Sequence, residues 1–67
     1  LNNLQLGHTV SWSLGEAPQN APCDAGRCYS IAGYSLVNVQ FCIRYTNNNL
    51  YIRSNFSGNW TSWSTIN

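Results

Sequence analysis

The chain's whole supply of acid–base chemistry near neutral pH is one histidine, His8, and two carboxylates, Glu16 and Asp24, with no lysine. A nucleophile with a positioned base would have to use His8, near one end of the sequence. Glu16 and Asp24 are types that can form a glycosidase pair. Both, however, fall in "GEAPQNAPCDAGR", a stretch without apolar neighbours to raise either pKa, and a solvated loop carboxylate is the commoner outcome. The residues point away from catalysis, so no catalytic residue and no cofactor is expected.

Three cysteines offer two other chemistries. Cys23, Cys28 and Cys42 with His8 make a permitted Cys3His zinc set. Their spacing is unlike the tight pairs of zinc fingers, and cysteine is a common small core residue, so no metal is expected. Cys23 and Cys28 bracket "DAGR", a loop that a disulfide can close, leaving Cys42 over; in a reducing compartment three free thiols are equally ordinary.

The aromatic residues are more telling. "NFSGNWTSWSTIN", residues 55–67, sets Trp60 and Trp63 among Asn, Ser, Thr and Gly. On a strand an offset of three puts them on opposite faces, one for a core and the other for a contact surface. Tyr, Trp, Asn, Ser and Gly together give rigid contact area with adaptable hydrogen bonding, as binding surfaces favour. Arg44 or Arg53 can lie over the ring of Trp60 or Tyr51. Trp60, Tyr51, Arg53 and Arg44 are therefore the candidate contact residues, for a receptor or for a neighbouring subunit.

The elements that must position them read as strands. "TVSWSL" alternates, with Val10, Trp12 and Leu14 on one face. Residues 15–27 carry Pro, Gly and carboxylates and read as a loop, and a short second strand is expected around Tyr29 and Ile31, interrupted near Gly33. In "LVNVQFCIRYTNNNLYIRSNF", Val37, Val39, Phe41, Ile43 and Tyr45 alternate with Asn38, Gln40, Cys42 and Arg44. A turn at Asn47 and Asn48 would pair Tyr45 with Leu50, Ile43 with Ile52, Arg44 with Tyr51 and Cys42 with Arg53. A second turn at Ser57 and Gly58 returns the last strand: a two-residue turn pairs Asn55 with Trp60 and Ile52 with Trp63, and a three-residue turn would exchange the roles of the two tryptophans. Core then falls to Trp63, Ile43, Ile52 and Phe41, and the opposite face to Trp60, Tyr51, Arg44 and Arg53. No segment shows helical periodicity. The predicted fold is all-β, a small antiparallel sheet of four to five strands with a long irregular loop.

Length and charge set the limits. Sixty-seven residues make one domain, whose core is marginal because a chain of this size buries only about 60% of its unfolded surface. A partner, a metal, a disulfide or self-association is favoured. A net charge of +1 gives no electrostatic reason to expect nucleic acid or an anionic membrane, and no apolar run approaches a bilayer span. The opening "LNNLQLGHTV" lacks the basic end and apolar stretch of a signal peptide, so an excised or mature domain is expected. Ten Asn, eight Ser and four Thr supply solubility, as on a protein displayed outside a cell or on a virion. With so many of these residues, the sequons at Asn55 and Asn59 arise by chance and carry no inference.

The closing "WTSWS" is similar to the WSxWS signature of cytokine-receptor fibronectin-type domains, where arginines of a nearby strand stack between tryptophans. Such a domain needs seven strands and roughly 95 residues. Thrombospondin type 1 repeats share W-x-x-W, but with cysteines following, which are missing after Trp63. The chain more fully resembles the pyocin-knob family of bacteriophage and R-type pyocin tail fibres. "LNNLQLG" looks like its opening, "NAP" (Asn20, Ala21, Pro22) falls at its early loop and "VQFCIRY" at its Gln-containing strand. "LYIRSNFSGNWTSWSTI" matches its closing signature at Tyr51, Arg53, Gly58, Trp60 and Trp63. The resemblance implies a homotrimeric knob of a virion tail fibre or spike, assembled in the bacterial cytoplasm. It further implies attachment to a host surface through lipopolysaccharide or another glycan, or alternatively a purely structural folding role along the fibre. The Cys23 to Cys28 loop is not part of that pattern.

Overall fold

The computed structural model describes residues 1–32 and 37–66. Its strands are β1 (Thr9–Trp12), β2 (Gly26–Ala32), β3 (Val37–Arg44), β4 (Leu50–Phe56), β5 (Asn59–Trp60) and β6 (Ser64–Ile66). All pair antiparallel in one sheet of order β1-β2-β3-β4-β5, and β6 lies against the other end of β4. The described residues contain no helix. The expected all-β architecture is observed, with six strands rather than four or five. The interruption expected near Gly33 lies outside the described residues.

The hairpin of β3 and β4 follows the alternation of its sequence, but in a register two residues away from the expected one. Ile43 pairs with Leu50, Cys42 with Tyr51, Phe41 with Ile52 and Gln40 with Arg53. The reason is a longer connection. The Arg44 N–H donates to the Asn49 carbonyl at 2.9 Å, Asn48 takes φ of 59° and the Asn47 side chain accepts from the Asn49 N–H. Tyr45 is thereby drawn out of the strand and into the turn. An even shift preserves faces, which is why apolar still meets apolar.

The second turn is as expected: Ser57 and Gly58 both have positive φ, and Asn55 pairs with Trp60. The strand then breaks. Thr61 clamps Ser54 through its N–H and its hydroxyl, and pairing resumes with Ile52 opposite Ser64 rather than Trp63. The offset-of-three argument therefore fails for Trp60 and Trp63, because no continuous strand joins them.

Two irregular segments, residues 1–8 and 13–25, lie over one side of the sheet. Under them is a core of Trp12, Cys28 and Cys42, packed against Leu1, Leu4, Val10, Ala21, Cys23, Tyr51 and Trp63. Cys28 and Cys42, opposite each other on β2 and β3 with Cα atoms 4.0 Å apart, form a disulfide, and Cys23 is the free thiol. The bridge thus differs from the Cys23 to Cys28 possibility: cross-strand neighbours meet, whereas Cys23 sits in the covering segment. At the start of β2, Gly26 lets the strands approach closely, since a Cβ there would stand 2.2 Å from the Ile43 carbonyl oxygen.

The two faces of the sheet were separated correctly by alternation, but their roles are reversed. Phe41 and Ile43 are exposed and Ile52 is only half-buried, while Arg53 is 6% exposed and Gln40 wholly buried. The physical reason lies in the loops. Irregular backbone carries carbonyls with no ladder partner, and buried ones must find donors. The face with Trp12, Gln40 and Arg53 supplies donors at its centre, whereas the face with Phe41, Ile43 and Ile52 is apolar there and carries its donors only on β2, at Tyr29 and Arg27.

Candidate functional site

Five side chains, Trp12, Gln40, Arg44, Arg53 and Trp63, tie the covering segments down. Trp12 Nε1 donates to the Cys23 carbonyl at 3.2 Å, Gln40 Nε2 to the Leu1 carbonyl at 2.8 Å and Trp63 Nε1 to the Asn20 carbonyl at 2.9 Å. Arg53 is the centre of the arrangement. Its Nε donates to Gln40 Oε1 and its Nη2 to Asn2 Oδ1, both at 2.9 Å. Its guanidinium carbon lies 3.9 Å from the ring centre of Trp60 and 4.6 Å from that of Trp63. The planar cation is held between two indoles, a geometry that suits arginine and not lysine. Burial pushes its pKa down from the usual value, yet an arginine stays charged at any working pH.

The sequence candidates thus have distinct placements. Arg53, Trp60 and Tyr51 share the covered side, with Arg53 inside and Tyr51 packed on the core. Arg44 stands apart at the far end of β3, where its Nε and Nη2 grip both carboxylate oxygens of Asp24 at 2.8 and 2.9 Å. The hydrogen bonds from Arg44 hold Asp24 below the usual carboxylate range, and Asp24 in turn raises Arg44. Trp63, expected in the core beside Ile43 and Ile52, instead lies across Arg53 on the other side of the sheet.

The other reactive side chains are dispersed. Glu16 accepts from the Ser13 hydroxyl within its own turn, and His8 is exposed. Burial raises the Cys23 thiol above its ordinary pKa, which leaves it a poor nucleophile. Among the described residues, no three of His, Cys, Asp and Glu come together as a metal would require.

Where the two covering segments meet there is an open cleft of about 550 Å³. Leu1, Leu4 and Val10 give it apolar walls, and Asn2, Asn3, Gln19 and Asn20 give it four carboxamides. No charged side chain lines it. Asn2 and Asn20 join it to the Arg53 stack, the first by accepting from Arg53 and the second, at φ of 66°, by accepting from Trp63. The sequence reading did not find this cleft. Its amides come as two adjacent pairs, Asn2 with Asn3 and Gln19 with Asn20, far apart along the chain, and only the folded loops bring the pairs together.

No family model, curated protein or solved structure matches the chain.

Proposed function

We propose that this chain is a non-enzymatic knob module of a phage or pyocin tail fibre, homotrimeric, which holds a fibre to a bacterial surface by contacting lipopolysaccharide or another glycan. The observation that carries this reading is the amide-lined cleft, whose lining side chains are all uncharged. A carboxamide offers both a donor and an acceptor, which is what sugar hydroxyls require, and apolar walls suit the C–H faces of a pyranose. Its volume falls within the roughly 300 to 1,000 Å³ common for ligand sites. Dispersal of His8, Glu16 and Asp24 agrees with the non-enzymatic part. The closing signature also gains a physical sense: Arg53, Trp60 and Trp63 lock the loops that carry the cleft.

On this reading the contact surface is the cleft, while Arg53 and Arg44 act through the residues they hold. The test is retention of the chain on immobilised bacterial lipopolysaccharides and on a panel of neutral polysaccharides. Binding to at least one, abolished by Asn3→Ala with Gln19→Ala at unchanged thermal stability, supports the reading. Binding to none, or binding indifferent to that pair, favours a purely structural folding module of the fibre.

A further inference from the structure

The side of the sheet away from the loops carries Tyr29, Phe41, Ile43, Leu50, Phe56 and Ile66, each more than one-third exposed and Phe56 as much as 66%. Ile31, Val37, Val39 and Ile52 lie between them, half-buried. We propose that this face is the surface through which copies of the chain associate, sheet against sheet. It takes from the attachment reading only the expectation of a multimer; the face and its partner are argued from the sheet itself.

The first argument is area. With aromatic side chains offering about 150 to 250 Å² each and the aliphatic ones somewhat less, the six exposures amount to roughly 500 Å² of apolar surface. That lies within the range of the largest patch on an ordinary monomer, about 300 to 600 Å², which is itself often functional. Two such faces together reach the approximately 1,000 Å² that a specific interface should clear, before the four half-buried neighbours are counted.

The second argument is chemistry. Arg27, near the start of β2, is the one charged side chain on the described part of this face, and no carboxylate lies there. A charged partner finds no complement. A second copy brings the same neutral aliphatic and aromatic surface and needs only to keep Arg27 at the rim. The third argument is architecture: a sheet buries its apolar face against a second layer, and here the loops occupy the opposite side. Packing sheet faces about 10 Å apart supplies the absent layer from another copy.

The experiment is sedimentation velocity on the unmodified chain from micromolar to near-millimolar concentration. It is paired with intermolecular NOEs between 13C-labelled and unlabelled copies. Association to a multiple of 7.5 kDa is expected, with intermolecular NOEs from Ile43 and Leu50 methyls. Phe41→Glu, at an already exposed position, should yield a monomer with the far-UV spectrum retained, while Gln19→Glu on the other side should leave the mass unchanged. A single-chain mass at every concentration overturns the proposal, as do NOEs confined to the loop side or a Phe41→Glu chain that associates as before. The NOEs need no substitution, so they decide even where Phe41→Glu fails to fold. Glycan binding by a strict monomer would sink this inference together with the trimer of the attachment reading and leave its glycan contact standing; association without glycan binding would sink the glycan contact and leave this inference standing.

Discussion

Replacing Arg53 by methionine, which keeps an unbranched stem and removes the charge, tests whether the indole-clamped guanidinium holds the loops down. Two hydrogen bonds from a charged donor, to Gln40 and Asn2, are lost, each contributing about 1.5 to 3 kcal/mol. Two ring contacts at 3.9 and 4.6 Å go with them, about 0.5 to 1 kcal/mol each. Gln40 is wholly buried and its Oε1 is left without this donor. Against this stands the relief of no longer desolvating a cation, several kcal/mol in its own right. The balance is a net loss of about 3 kcal/mol, a large part of the roughly 3 to 10 kcal/mol expected for a domain of this size. Urea unfolding by far-UV circular dichroism, at one fixed protein concentration because association adds stability by mass action, should show the midpoint falling by about 3 M at a slope near 1 kcal/mol/M. Arg53→Lys discriminates the cause. An ammonium cannot bridge Gln40 and Asn2 in a fork while lying flat between two rings, so the lysine variant should be as unstable as the methionine one. If either variant lies within about 1 kcal/mol of the unmodified chain, a loss no larger than an average point substitution, the clamp is not what holds this fold together.

Two further outcomes follow from the close packing of β2 on β3. Gly26→Ala would set a methyl group 2.2 Å from the Ile43 carbonyl oxygen, a backbone atom in the ladder that cannot swing aside. A loss of more than about 4 kcal/mol and a collapsed amide spectrum are expected, and a well-dispersed spectrum would refute the close approach. Alkylation of the denatured, unreduced chain should modify Cys23 alone, with reduction exposing Cys28 and Cys42 and costing about 3 kcal/mol for a cross-link spanning 14 residues; three modified cysteines before reduction would refute the pairing.

Alternation made the strands and the division of their side chains legible in the sequence, and the Ser57–Gly58 turn fixed the pairing of Asn55 with Trp60. The register of the other hairpin was less legible. "TNNN" accommodates turns of several lengths, and the backbone hydrogen bonds of Arg44 with Asn48 and Asn49 belong to the longer one. Thr61 was unreadable as a strand breaker, because its effect depends on reaching Ser54, seven residues away. The Cys28 to Cys42 bridge needs the pairing of β2 with β3, which sequence spacing does not encode.

Which face is covered was the deepest misreading, and its cause is general. Hydropathy ranks Phe41, Ile43 and Ile52 as core and Gln40 and Arg53 as surface, and for a sheet covered by another sheet or a helix that ranking serves, since those layers satisfy their own backbone. Residues 1–8 and 13–25 form neither, and they bring carbonyls at Leu1, Asn20 and Cys23 that take donors from the side chains beneath them. Such a cover can settle only where Trp12, Gln40 and Trp63 present N–H groups, so the side rich in donors becomes the inside of the chain. The aliphatic side is then left for whatever can cover it without hydrogen bonds. Another sheet of the same kind meets that requirement and a second irregular loop does not. The same two segments that bury Arg53 therefore both build the amide cleft and leave the opposite face bare, which traces the cleft and the bare face to one cause: loops that need donors.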